Sequence, residues 1–235
     1  ILVKQKTGER AVFFERSTAT EPEFLEAHKQ LIESAYILHI NGRHRKLMRS
    51  AMAVAKEVGT IISLDGGAQR YDEDMKPITE ASHIVIVARD YAEKYTGTTN
   101  LKEACRIIHE RGACIAGVTD GANGSYFVWP DGTFYRCEPF TQSTVVDTTG
   151  AGDSFHGAFL ANLVHTINHM KGQDTTSTTK HDRASIHAVE LLKACAHSDL
   201  EKAAIFASAV ASLNTQGIGG RSPLPTLKSV QELIG

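Results

Sequence analysis

Residues 145–160 read Val-Val-Asp-Thr-Thr-Gly-Ala-Gly-Asp-Ser-Phe-His-Gly-Ala-Phe-Leu. Two glycines and two aspartates stand between a β-branched run and the apolar start of a helix, a combination suited to binding an anion and moving a proton. Gly150 and Gly152 let the backbone turn sharply and approach a ligand, and the amides of Gly150, Ala151 and Gly152 would then project unpaired from a helix N-terminus. Such a terminus carries partial positive charge and free N–H donors, which suit phosphate oxygens. Asp153 falls in the same turn. The helix dipole favours a carboxylate there, placed to take a proton from a hydroxyl that attacks a phosphorus. On residue types alone, Asp147 or Asp153 also fits a helix cap and the glycines an ordinary turn.

The surrounding elements must position this hinge. A chain of 235 residues with 42% apolar content can bury a sizeable core, as one large domain or two small ones. Apolar spacing predicts helices over 21–34, 45–58 and 100–111 and a short helix from Asp90. Continuous apolar runs predict strands over 36–40, 60–64, 83–87 and 114–118. This alternation argues for βαβ units and a parallel sheet covered on both faces, the α/β class. Ligands then gather beyond the carboxyl ends of the strands. Asn41-Gly42-Arg43, Asp65-Gly66-Gly67, Ala88-Arg89-Asp90, Thr119-Asp120-Gly121 and the hinge are therefore predicted to converge. Residues 125–129 and 133–136 predict a hairpin around Asp131-Gly132. The polar 170–181 stretch, followed by a helix-like run over 184–196, reads as a surface insertion over 170–198, and a last helix is predicted over 199–213. No internal repeat is visible.

Charge and composition narrow the partners. The 25 basic and 27 acidic residues form no long single-sign run, which argues against nucleic acid and an anionic membrane and for small molecules. No apolar run approaches the roughly 20 residues of a membrane span. Cys105, Cys114, Cys137 and Cys195 form no C-x-x-C pair, which fits reduced thiols in the cytoplasm. His165 and His169, four apart, fit a solvated helix face better than a metal pair. The chain opens on apolar runs around Thr7-Gly8, a β-hairpin over 1–16 that reads as already inside a domain.

Asp147-Thr148-Thr149-Gly150-Ala151-Gly152-Asp153-Ser154-Phe155 resembles, at every position, the C-terminal signature of the ribokinase-like carbohydrate kinases, or phosphofructokinase B family. The resemblance implies a three-layer α/β/α domain with a mostly parallel sheet and a small β lid, and ATP-dependent phosphorylation of a sugar hydroxyl. Asp153 is implied as the base, and the amides of Gly150, Ala151 and Gly152 as the anion hole. Val118-Thr119-Asp120-Gly121-Ala122-Asn123-Gly124 resembles the family's second nucleotide loop, implying Thr119, Gly121 and Gly124 against ATP; standing alone it would read as a plain turn. Asn214 and Gly217 fall where the family closes around adenine, and Asp147 and Thr149 match residues that hold potassium in some members. Residues 38–43 and 85–93 look most like ketohexokinase- and fructokinase-type members, which points to a ketose. The resemblance also implies magnesium with ATP and a homodimer formed through the lid.

Two departures stand against the family pattern. Where many members carry Asn-x-x-Glu, which organises water around magnesium, this chain has Ala88 and Tyr91, with Asp90 or Glu93 as substitutes. The N-terminal Asp, Gly-Gly pair and Asn that grip the acceptor sugar find no match, so residues 1–235 read as the C-terminal portion of one kinase domain. A nucleoside kinase of the same family and a non-catalytic nucleotide- or sugar-binding homologue remain the alternatives.

Overall fold

The computed structural model describes residues 2–3, 10–11, 18–142, 144–173 and 187–235. At its start β1 (Leu2–Val3) pairs antiparallel with β2 (Arg10–Ala11), Leu2 opposite Ala11. The Thr7-Gly8 turn and the rest of the 1–16 hairpin lie outside the described residues.

Helix α1 (Glu26–Ser34) begins later than the apolar spacing predicts. The amide of Leu25 donates to Nδ1 of His28 at 3.0 Å, which sets the first turn there. Glu21, expected inside that helix, serves another: its carboxylate accepts from the amides of Lys46 and Leu47, at 2.7 and 3.2 Å. It thereby caps α2 (Arg45–Val58), whose own N-cap residue, His44, has φ 50° and makes no side-chain cap bond.

Six strands follow one another across a single sheet in chain order: β3 (Ile37–Ile40), β4 (Ile61–Gly66), β5 (Ile84–Ala88), β6 (Ile115–Thr119), β7 (Ser125–Val128) and β8 (Phe134–Cys137). The first four are parallel, as the βαβ pattern predicts, and β7 and β8 form the antiparallel hairpin expected around Asp131-Gly132. β4 runs past its expected stop, because Asp65 and Gly66 stay in register with Ile86 and Val87 of β5.

Alternation along the strands separates two cores. Ile62, Leu64, Val85 and Val87 pack with side chains of α2, of α4 (Arg89–Thr96) and of α5 (Leu101–Glu110). Ile61, Ile84, Ile86 and Phe127 face the opposite layer, made by α6 (Ala151–Gln173), α7 (His187–Ala194), α8 (His197–Asn214) and α9 (Leu227–Ile234), while the short α3 (Lys76–Glu80) precedes β5. On α6, Phe155, Phe159, Leu163 and Ile167 recur every fourth residue and all are buried. Phe159 stacks on Phe127 with ring centroids 5.7 Å apart. At about 1.5–3 kcal/mol for each large apolar side chain buried, this stripe holds α6 firmly on the sheet.

The stretch read as a surface insertion is helical on both flanks. α6 continues through Met170 to Gln173, and Leu192 and Cys195, beyond the undescribed 174–186, are buried in the second core. Helix α9 was not expected. Its signals are short ones: Thr226, after Pro225, accepts from the amide of Ser229 at 3.2 Å, and Val230 is fully buried. Among the described residues no helix is long and apolar enough to cross a membrane.

Candidate active site

The hinge 147–153 is stitched to the end of α8 and the loop after it. The amides of Val146 and Asp147 donate to the carbonyl of Thr215 at 2.8 and 3.2 Å. Asp147 is buried, and its two carboxylate oxygens accept from the amides of Thr149 and Gly219 at 2.8 and 2.9 Å. Asn214 donates its side-chain amide to the carbonyl of Thr149 at 3.1 Å. Gly150 has φ 80°, and a Cβ there would come within 2.8 Å of the Gly220 carbonyl oxygen, so only glycine fits this turn without strain.

The amide of Ser154 closes the first helical bond of α6, to Gly150, at 2.8 Å. Three free amides are expected at this terminus. The Ala151 amide instead donates to Thr148 at 3.3 Å, tightening the turn, while those of Gly150 and Gly152 make no hydrogen bond among the described residues. Gly152 and Asp153 are exposed, and a Cβ on Gly152 would have nothing within 4 Å. Asp153 walls a groove of about 430 Å³ that Gly157, Phe206, Val210, Gly220 and Leu224 also line. A second groove, of about 460 Å³, lies beside Glu21 and Lys46, where the carboxylate is already engaged in capping α2.

The other expected positions fall at the carboxyl ends of the parallel strands. Thr119 ends β6, and the amide of Asp120 after it donates a turn bond to the Gly124 carbonyl at 2.9 Å. Gly124 has φ 87°, and a Cβ there would collide with the carbonyl of Cys137. Asp120 also pairs with Arg89 at 2.7 Å, joining the ends of β5 and β6. The Asp90 carboxylate accepts from the Gln69 amide at 2.5 Å, joining the ends of β4 and β5. Arg70 reaches the carbonyl of Asn41 at 3.1 Å and Asp65 at 3.6 Å, joining β3 and β4. Asn214 is fully buried at the end of α8, and a Cβ on Gly217 would lie 2.6 Å from that of Pro223.

Beneath the hinge, the face of the sheet turned to α6 changes from apolar to polar. His39, Ser63 and Asp65 share the parity of Ile37 and Ile61, and His39 lies opposite Ser63 in register, with Nδ1 3.2 Å from its hydroxyl. His156 of α6 descends onto them, its Nε2 3.3 Å from Asp65 and its ring 5.4 Å from that of His39. Burial alone pushes the Asp65 carboxyl up, but the hydrogen bond and charge of His156, with Arg70 and His39, bring it below its ordinary value. Burial and His156 lower His39 against the opposing pull of Asp65 and Asp153. His39, Asp65 and Asp153 therefore share one electrostatic neighbourhood.

The model of the pfkB family carbohydrate kinases matches residues 1–227. The chain belongs to that family. It is 27% identical to the Arabidopsis thaliana protein named probable fructokinase-5 over 98% of this chain and 68% of that one. A cytidine kinase of Thermococcus kodakarensis is 35% identical over 37% of this chain and 31% of its own length. The fold is ribokinase-like: the structure of Arabidopsis thaliana ribokinase complexed with ribose and ATP superposes with a TM-score of 0.64 at 22% identity, covering 91% of this chain and 60% of that one.

Within this pfkB-family chain, the position aligned to the family's magnesium-organising Glu is a core residue. Tyr91 is fully buried, and its hydroxyl lies 2.6 Å from that of Thr79. Burial raises its phenol to about 12, so it remains protonated. Glu93 pairs with Arg89 at 3.1 Å, so both suggested substitutes, Asp90 and Glu93, are engaged within the chain. The four cysteines are free thiols, and burial pushes Cys105 to about 12 and Cys195 to about 11, which keeps both from acting as thiolates. No role for His39, Arg70 or His156 follows from the sequence motifs. The available signal was a polar set of one parity at the ends of two adjacent strands.

Proposed function

We propose that this pfkB-family protein transfers the γ-phosphoryl group of ATP to a sugar hydroxyl, with a ketose such as fructose as acceptor. The observation that carries the reading is the placement of Asp153: an exposed carboxylate in the first turn of α6, on the wall of a groove, next to Gly152 and three residues from Gly150, whose amides make no hydrogen bond among the described residues. Asp153 takes the acceptor's hydroxyl proton as that oxygen bonds to the γ-phosphorus, while the bond from phosphorus to the bridging oxygen breaks and ADP departs. The Gly150 and Gly152 amides, with that of Ala151 once its weak turn bond is exchanged, stabilise charge on the moving phosphoryl group. Thr119, Gly121 and Gly124 border the nucleotide, and Gly217 closes the loop beside it. Asn214 acts on the same site through the hinge carbonyl it holds.

Magnesium suits this site chiefly as a companion of ATP, because Asp90 and Glu93 are occupied and, among the described residues, no three metal-binding side chains gather. Bound to ATP, it would neutralise charge between the β- and γ-phosphates. A potassium ion fits beside Asp147 and Thr149. Thr149 Oγ1 and Asn214 Oδ1 are buried with no hydrogen-bond partner among the described residues, and such oxygens suit a hard monovalent cation.

The ketose assignment rests on the Arabidopsis relative named a fructokinase, and the cytidine kinase similarity favours a nucleoside as the second reading. Coupled ADP release by the complete protein with fructose, ribose, adenosine and cytidine separates them. Turnover on fructose supports the proposal, turnover confined to the nucleosides replaces it with the second reading, and ATP binding without turnover on any acceptor overturns both.

A further inference from the structure

Asp65 and His156 are 7% and 3% exposed, and their contact at 3.3 Å joins the end of β4 to α6 one turn beyond Asp153. A pair that only stabilised the fold would be an odd choice here. Replacing a buried ionisable pair with apolar residues is commonly neutral or stabilising. The neighbouring Phe155, Phe159, Leu163 and Ile167 already anchor α6 by apolar burial. Nδ1 of His156 is also buried with no hydrogen-bond partner among the described residues, so the polar contact that orients the ring is the one to Asp65 at Nε2. Asp65 is in turn braced by Arg70, which the Asn41 carbonyl holds at 3.1 Å.

Residues three apart on a helix lie on adjoining faces of consecutive turns. The rotation of His156 about the helix axis therefore sets that of Asp153. The groups facing the pair are His39 from β3 and Arg70 from the loop after β4, with Ser63 of β4 and Asp153 of α6 acting on His39. The apolar stripe of α6 seats the helix on the sheet, but side chains without directional bonds leave small rotations cheap. A carboxylate–imidazole contact removes that freedom at the turn where a proton must be accepted.

We propose that Asp65 and His156 form a positioning clamp, in which Asp65 orients His156 and His156 fixes the first turn of α6 so that Asp153 and the Gly152 amide keep their relative placement. This rests on the phosphotransfer reading of Asp153, so its test has one readout that needs no turnover. In the complete protein, His156→Leu and His156→Gln are compared with wild type by hydrogen–deuterium exchange of a peptide spanning 150–157, and by kcat and KM for ATP and acceptor. Gln can still offer an N–H to Asp65; Leu cannot.

His156→Leu is expected to speed exchange over 150–157 about tenfold while leaving 159–167 unchanged. It should lower kcat about 10- to 100-fold with both KM values within about threefold of wild type. His156→Gln should restore most of both quantities. Asp65→Asn, which keeps the shape and removes the charge, should show the same pattern more weakly and supplies the comparison if the Leu variant does not fold. Wild-type exchange over 150–157 in both His156→Leu and Asp65→Asn would overturn the clamp, as would a loss in His156→Gln equal to that in His156→Leu. If wild type phosphorylates no acceptor, the phosphotransfer reading fails, and the exchange result alone still decides the clamp.

Discussion

Asn214, in the last turn of α8, donates its side-chain amide to the carbonyl of Thr149 in the hinge at 3.1 Å, across 65 positions of sequence. The residue is fully buried, so the bond ties the hinge to the helical layer from within. Truncation should leave the Thr149 carbonyl without this donor. Asn214→Ala is expected to lower stability by about 1–3 kcal/mol in urea unfolding, and to weaken ATP binding as the hinge loosens. Unchanged stability would show that the bond is dispensable.

Gly150 and Gly152 separate folding from ligand binding. At Gly150 an added Cβ meets the backbone of Gly220 at a φ of 80°, whereas at Gly152 it meets nothing. Gly150→Ala should therefore reduce stability by more than about 1 kcal/mol, the reverse of the gain of about 0.4–1 kcal/mol that the same substitution gives where alanine fits the backbone. Gly152→Val should leave the unfolding midpoint close to wild type and depress turnover, since its side chain fills the space a phosphoryl group would need. Equal stability losses in the two variants would contradict this division.

Much of this arrangement was legible in the sequence. The strand and helix alternation announced the parallel sheet, because a strand covered on both faces must read as a continuous apolar run. The hinge was legible because Gly150, Gly152 and Asp153 crowd between a β-branched run and an apolar helix start, and Gly150 does take a positive φ. The clamp was not, since Asp65 and His156 are 91 positions apart and only sheet register and the rotation of α6 bring them together. Helix α1 begins later than its apolar spacing predicts for a related reason: Glu21 is engaged in capping α2, a tertiary use that local spacing does not reveal. Tyr91 looked like a vacancy in a metal motif, and its burial beside Thr79 accounts for an aromatic residue there.

A monovalent cation at Asp147 and Thr149 makes a separate expectation. Turnover should rise when potassium replaces tetramethylammonium at constant ionic strength, and Thr149→Val, which removes an Oγ1 that has no hydrogen-bond partner among the described residues, should reduce that response. Turnover indifferent to potassium in wild type would exclude the cation.

His83 links pH to stability. Its Nδ1 accepts from the amide of Ile62 at 3.0 Å, and burial, with a smaller contribution from Lys193, lowers its pKa below the ordinary 6.5. The unfolded chain then binds the proton more readily. This contribution is complete above about pH 6.5 and is lost as pH falls through the lower folded value, with His39 acting in the same direction. Tm should be lower at about pH 5 than at about pH 7, and the difference should shrink in His83→Asn. An undiminished difference in that variant would contradict the assignment to His83.

The most direct test of phosphotransfer at the hinge is Asp153→Asn in the complete protein, with turnover on the best acceptor and ATP affinity measured on the same preparation. Loss of the proton acceptor should lower kcat by about 10²- to 10⁴-fold while the ATP Kd stays within about threefold of wild type. Turnover at the wild-type rate would contradict Asp153 as the base, and with it the reading of the hinge as the phosphoryl-transfer site.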